Sequence, residues 1–189
     1  MELISVKLGE LVTSGEAIIK TGPFGTQLKA AEYVDYGTPV INVKNIGYGT
    51  VVRNKLDMVG QATLERLEAH ILHAGDIVFG RKGAVDRHAY ISEAEEGWMQ
   101  GSDCIRLRID STRVNPRYLS YYFLTSKHKA LMIGMCAHGT TMASLNQKIL
   151  EQIEIPIPGI EIQNKIVSIL KAIDDRTSVN SKINDNLAA

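Results

Sequence analysis

Short apolar alternations broken by glycines occupy the start of this chain, from Val6-Lys7-Leu8-Gly9-Glu10-Leu11 to the loop-like Lys20-Thr21-Gly22-Pro23-Phe24-Gly25-Thr26, and predict short strands and turns. Pro39-Val40-Ile41-Asn42-Val43 predicts a strand, with the polar Lys44-Asn45-Ile46-Gly47-Tyr48-Gly49 as a loop at its end. Leu64, Leu67, Glu68 and Ile71 recur at helical spacing, so a helix is predicted over Gln61 to Leu72. Beyond the turn at Gly75-Asp76, strands are predicted at Ile77-Val78-Phe79, Ala89-Tyr90-Ile91 and Cys104 to Ile109. In the last of these Ile105, Leu107 and Ile109 share one face, which leaves Arg106 and Arg108 on the other, expected to be wet. Asn115-Pro116 reads as a helix start, Asn as N-cap and Pro at the first helical position, and the helix is expected to run to about Ile133. Ser144-Leu145-Asn146-Gln147 looks like a capping box opening a short helix. Ile153, Ile155 and Ile157 alternate around Pro156, the signature of an edge strand.

After Pro158-Gly159 the pattern changes. Ile162, Ile166, Ile169, Ile173, Arg176, Asn180, Ile183 and Leu187 follow spacings of 4, 3, 4, 3, 4, 3 and 4, a heptad seam with Arg176 and Asn180 as polar interruptions. So long an amphipathic helix cannot be buried by so small a domain, so it is expected to protrude and seek another helix. The fold class expected is α/β in the mixed α+β sense: a globular domain of short strands and helices over residues 1–158, then a long coiled-coil helix over 159–189.

Composition narrows the class without naming a partner. The chain has 189 residues, 44% hydrophobic, which suits a folded domain rather than a disordered tail. No apolar run reaches the ~18 to 20 residues that a membrane span needs, and Met1 to Lys7 lacks the features of a secretory signal, so cytoplasmic residence is expected. Cys104 and Cys136 stand without a CxxC and read as buried thiols. The formal net charge is zero, yet Val114 to Leu150 holds Arg117, Lys127, Lys129, Lys148, His128 and His138 and no acidic residue, so a neutral chain can still carry a positive face.

Searches for chemistry return little. Gly80-Arg81-Lys82-Gly83 is not a phosphate-binding loop, and the Gly-x-Ser-x-Gly nucleophile elbow is missing. No lysine has Asp or Glu two positions before it, the arrangement many metal-dependent nucleases use. Asn115-Pro116-Arg117-Tyr118 approaches an amino-methyltransferase motif, but Arg117 replaces its second proline and no glycine-rich cofactor fingerprint accompanies it. His70 and His73 could offer two metal ligands without a third, and read instead as a solvated helix end. Neither metal nor cofactor is called for.

Three stretches carry a family resemblance. Gly22-Pro23-Phe24-Gly25-Thr26-Gln27-Leu28-Lys29, with Tyr33 and Gly37-Thr38-Pro39-Val40-Ile41, resembles the opening of a target recognition domain from the specificity subunits of type I restriction-modification systems. Gly75-Asp76-Ile77-Val78-Phe79-Gly80-Arg81-Lys82-Gly83-Ala84-Val85 resembles that family's mid-domain strand and loop. The most specific stretch runs from Gly139-Thr140-Thr141 through Leu145-Asn146 and Ile155-Pro156-Ile157-Pro158 to Gln163-Asn164-Lys165-Ile166-Val167 and Ile173-Asp174-Asp175.

The resemblance implies a non-catalytic subunit that reads one half of a bipartite sequence in double-stranded DNA. The methyltransferase (modification) and restriction/translocase subunits would act where it positions them. In the family two recognition domains alternate with two long helices that pair antiparallel; one of each is present here, so the chain is either a fragment cut inside the first long helix or a half-subunit. Its ending inside the helix favours a fragment. The helix is then expected to pair with that of a second copy, through the eight seam positions from Ile162 to Leu187, to give a homodimer. Reading duplex DNA needs cations for phosphates and polar tips for base edges, and the loops offer Lys20, Thr21, Thr26 and Gln27, Lys44, Asn45 and Tyr48, Arg81, Lys82 and Arg87, and His138, Thr140 and Thr141. Two other readings stay open: a module that docks a protein through its exposed helix without touching DNA, and an inactive methyltransferase remnant.

Overall fold

The computed structural model describes residues 4–23, 25–137 and 143–187, with positions 182, 185 and 187 described through the backbone alone. In chain order the elements are β1 (Ile4–Lys7), α1 (Leu8–Thr13), β2 (Ala17–Thr21), β3 (Tyr33–Val34), β4 (Thr38–Ile41), β5 (Asp57–Val59), α2 (Gln61–Arg66), β6 (Ile77–Gly80) and β7 (His88–Tyr90). There follow β8 (Met99–Gln100), β9 (Cys104–Ile109), α3 (Pro116–Phe123), α4 (Ser126–Cys136), α5 (Gln147–Glu151), β10 (Glu154–Ile157) and α6 (Ile160–Leu187). This is the mixed α+β architecture with a long final helix that the sequence pattern predicts. Among the described residues no helix is long and apolar enough to cross a membrane.

Strand β9 organises the domain. It pairs antiparallel with β2 on one side and with β6 on the other, and β7 completes a sheet of order β2-β9-β6-β7. A second sheet has the order β3-β5-β4-β8, and β1 pairs with β10 in a two-stranded ribbon, so the expected edge strand at Ile155 and Ile157 is in place. One face of the β9 sheet, with Ile19, Ile77, Phe79, Ile105 and Leu107, packs on α1, α3, α4, α5 and the ribbon in the main core. The other face, with Val78, Ala89 and Cys104, packs on Ile41, Ile46, Leu72 and Ile91. Cys104 and Cys136 are both buried free thiols, and burial pushes their pKa values up.

That second packed face corrects the reading of Arg106 and Arg108. Alternation gives their side correctly, but the side is covered: Arg106 is 4% exposed and Asp76 1%. Arg108 grips Asp76 with two bonds, Nε and Nη2 each 2.7 Å from a carboxylate oxygen. Arg106 donates to the Ile71 carbonyl at 2.9 Å, and its Nε lies 4.0 Å from Asp76 Oδ2. Asp76 Oδ2 also accepts from the His73 backbone N–H. One buried carboxylate thus lies between two guanidinium groups, and the Ile71 carbonyl accepts from both.

Several boundaries move for local reasons. Val6 to Leu11 is a strand that turns straight into helix α1 rather than a run of strand and turn. The helix expected over Gln61 to Leu72 stops at Arg66, followed by a 3-10 turn at Glu68–His70, because the chain must become extended for Ile71 to bridge Met99 and for the Leu72 N–H to reach the Trp98 carbonyl. His70 is consequently buried rather than solvated, while His73 is exposed beside Glu96. Asn115 caps α3 as expected, its side chain accepting from the N–H groups of Arg117 and Tyr118, but the helix does not run on to Ile133. Thr125 is extended and accepts from the His128 N–H, starting α4 as a separate helix. Asn146, not Ser144, caps α5, because Ser144 is held in a bridge to Lys82.

Helix α6 has 28 residues, about 42 Å at 1.5 Å per residue. Ile166 and Val167 pack on the main core, so the first part of the expected seam is engaged within the chain and Ile162 is half-buried. Ile169, Ile173, Val179 and Ile183 are each at least 50% exposed, and Arg176 and Asn180 are exposed among them. The Leu187 side chain lies outside the described residues.

Removing the buried carboxylate should strand two cations. Asp76→Ala is expected to destabilise the domain by about 3 to 5 kcal/mol in urea unfolding, against less than about 0.5 kcal/mol for the surface control Glu65→Ala. A loss below about 1 kcal/mol would show that solvent reaches the pair.

Candidate nucleic-acid interface

The pairing of the β9 sheet gathers the candidate loops. At one end of it β2 finishes with Thr21 opposite Ile105, β6 finishes with Gly80 opposite Cys104, and β7 begins with His88 opposite Phe79. The segments leaving or entering at that end are the Gly22 loop, the turn before β9, and the loop from Arg81 to Arg87. At the opposite end, Arg113 and Asn115 hold the base of α6 through Gln163.

The roots of these loops are fixed by backbone. Gly22 donates to the Cys104 carbonyl at 2.9 Å, and a Cβ built on Gly22 would stand 1.9 Å from the Gly101 carbonyl oxygen, so no larger residue fits. The Arg81 N–H bonds the Asp103 carbonyl, and the Arg81 carbonyl takes the Leu145 N–H, both at 2.8 Å. Gly83 donates to Ala143 and Lys82 bridges Ser144, so the Arg81-Lys82-Gly83 loop lies against the segment leading into α5. Two of the stretches that carry the family resemblance thus meet, although they are some sixty positions apart in the sequence.

The predicted residues divide on inspection. Thr26 and Gln27 are exposed beyond the Gly22 root, with the Gln27 carbonyl held by Arg66. Lys20 and Thr21 are half-buried at the end of β2. Lys82 is exposed with its Nζ 3.9 Å from Asp103, and Arg81 is half-buried beside it. Lys44 is exposed and paired with Asp57 at 2.8 Å. Asn45 must be removed from the set: it is fully buried, its Nδ2 donates to the carbonyls of Val52 and Asn54, and its Oδ1 accepts from the Asn42 N–H. It shapes the loop and presents nothing outward. His138, Thr140 and Thr141 lie outside the described residues.

Tyr48 and Arg87 come together with two residues outside the candidate set, Asp86 and Lys129. The Tyr48 hydroxyl donates to Asp86 at 3.2 Å, and its ring centroid lies 4.3 Å from Lys129 Nζ and 5.7 Å from the Arg87 guanidinium carbon. The only signal for Lys129 was its place in the segment without acidic residues. Among the described residues no group of three or more His, Cys, Asp or Glu is placed to hold a metal ion.

Comparison with known proteins decides the family. Residues 4–189 match the family model described as the type I restriction modification DNA specificity domain. The chain belongs to that family. A type I restriction enzyme specificity subunit, MjaVIII, from Methanocaldococcus jannaschii is 23% identical over 181 residues, 94% of this chain and 40% of that subunit. The specificity-domain fold recurs in the crystal structure of a type I restriction-modification S subunit from M. genitalium, with a TM-score of 0.65 at 16% identity over 96% of this chain and 41% of that one. It recurs in the HsdS subunit of Thermoanaerobacter tengcongensis, with a TM-score of 0.63 at 17% identity over 94% of this chain and 38% of that one. This specificity domain therefore spans about two fifths of the length of these relatives.

Directly under the loop end of the sheet lies a neutral histidine pair. His88 bonds Ser120 at 2.9 Å and packs edge-on to Phe123, while His128 stacks at 4.6 Å from the same ring. Burial, reinforced by the positive groups around it, holds His88 down to about 3, and burial holds His128 down to about 4. Unfolded histidines titrate near 6.5, so below that pH the unfolded chain binds protons that the folded one refuses. Stability present at neutral pH should fall by about 2 kcal/mol per histidine between pH 7 and pH 5, above the range where most carboxylates titrate. Urea unfolding at the two pH values checks this, and a flat profile would mean the histidines are protonated in place.

Proposed function

We propose that this chain is a DNA sequence-recognition unit, reading one half of a bipartite target and doing no chemistry itself. Residues 1–158 act as the target recognition domain and 159–189 as the spacer and dimerisation helix. The observation that carries the reading is the family match over residues 4–189, which the gathering of polar and cationic loops at one end of the β9 sheet supports. Duplex DNA, a methyltransferase subunit and a restriction/translocase subunit are the partners this reading calls for, and the cytoplasm is where it places them. Loops with fixed backbone roots and polar tips suit base reading, because they hold donors and acceptors in register with the groove.

The exposed isoleucines of α6 favour a partner for the helix, and a second copy of the same helix, antiparallel, completes a two-fold arrangement that brings two reading ends to two half-sites. Each isoleucine buried contributes about 1.5 to 3 kcal/mol, enough for several to offset the cost of association. Ile169→Asp with Ile173→Asp is expected to yield monomers in sedimentation, where the unmodified chain sediments as a dimer at micromolar concentration. A monomeric unmodified chain at high micromolar concentration removes the dimer.

Base and phosphate contacts are tested at the Arg81 loop. Replacing Arg81 and Lys82 by alanine keeps the backbone bonds that root the loop, and should weaken duplex binding by about 1 to 3 kcal/mol with thermal stability nearly unchanged. The competing reading, a protein-docking module without DNA contact, expects no duplex binding that weakens steeply with salt.

A further inference from the structure

The cluster around Tyr48 combines features that a solvated loop does not need. Arg87 and Lys129 both lie against one ring, and among the described residues neither makes an ion pair. Among the described residues Arg87 Nε is buried without a hydrogen-bond partner, so the guanidinium is held in place by packing and only its outer nitrogens can meet a ligand. The nearby carboxylate of Asp86 is engaged by the Tyr48 hydroxyl.

The fold forces the three together. Gly49, at φ +73°, donates to the His88 carbonyl at 2.8 Å, and a Cβ on it would come within 3.2 Å of Leu124. The Tyr48 loop is therefore pinned both to the start of β7, beside Arg87, and to the junction that starts α4, whose first turn carries Lys129. Cations in the first turn of a helix are opposed by its dipole, and α4 has no acidic residue there to relieve them.

We infer that Tyr48, Arg87 and Lys129 form a phosphate clamp for the duplex backbone, set beside the loops that read bases. This rests on the DNA-recognition reading given above. The Tyr48 ring, half exposed, lies against both cations and ties them to one loop. A phosphate would pair with the outward face of the Arg87 guanidinium and with the Lys129 ammonium, which among the described residues have no carboxylate partner. The clamp fixes register and carries no sequence information.

The test is a salt titration of the full chain on a pool of randomised duplexes. Arg87→Gln and Lys129→Gln should each lower the slope of log affinity against log salt by about 0.9 and weaken every sequence by the same factor, and Lys129→Arg should restore the slope. Tyr48→Leu should lower affinity with the slope kept, since both charges remain. If Arg87→Gln does not fold, the Lys129 and Tyr48 variants carry the test. An unchanged slope in folded Lys129→Gln, or a loss confined to a subset of sequences, overturns the clamp and leaves DNA recognition standing. An unmodified chain without salt-dependent duplex binding overturns both.

Discussion

The arrangement of the molecule depends on one buried carboxamide. Gln163, fully buried at the base of α6, donates to the carbonyls of Arg113 and Pro158 at 2.8 and 2.7 Å and accepts from the Asn115 N–H at 2.9 Å. These groups belong to the segment leaving β9 and to the turn before α6. A glutamate could only accept and a lysine could only donate, so a neutral amide is required to satisfy all three. Asn115, held through its own N–H, goes on to cap α3, and Asn164 bonds its side chain. Further along, Asp174 takes the Tyr121 hydroxyl at 2.7 Å and Arg117 at 3.2 Å. The helix is thus joined to the domain at its root and again about three turns on, and its direction relative to the loop end of the sheet is a property of the fold rather than of a flexible linker.

The β9 sheet can hold that geometry because it is covered on both faces. Hydrophobic packing, with the bonded His88 and Ser120 set within it, serves one face. The other mixes Val78, Ala89 and Cys104 with the Asp76 ion cluster, which also bonds the carbonyls that shape the Ala69 to Ile71 bend. Charged groups in such a place add little net stability over an apolar replacement, but they are exacting about position. They fix the Ala69 to Ile71 bend, whose Ile71 bridges Met99 of β8, against the first sheet.

Local signals in the sequence were legible wherever the deciding contact lies within a few residues. The Asn115 cap, the limits of β9 and the long final helix all follow from neighbours in the chain. What could not be read needs distant partners. Alternation put Arg106 and Arg108 on one side correctly, yet nothing nearby says that Asp76 and the Ile71 carbonyl cover that side. Asn45 has the composition of a loop tip, and only the fold reveals that its amide is consumed by Val52 and Asn54. Lys129 lies eighty-one positions from Tyr48, and their meeting depends on Gly49 docking between β7 and α4. The helix break at Thr125 did leave a trace, a Thr able to cap, but it was masked by the helical residues on both sides. The grouping of the Gly22, Arg81 and Arg87 loops at one sheet end follows from strand order, which local pattern does not encode.

The contact between Gly22 and Gly101 separates what must be kept from what can change. Two backbones cross there without a side chain between them, and the loop from Gly25 to Gln27 is carried outward from that crossing. Because the crossing depends on the absence of side chains rather than on the identity of any, the exposed side chains of Thr26 and Gln27 take no part in it, and the loop's far end is held by the Gln27 carbonyl and buried Leu28 instead. Such a loop can exchange its tip over evolutionary time at almost no cost in folding, and a chain built this way acquires new preferences by substitution at the periphery while its framework stays the same.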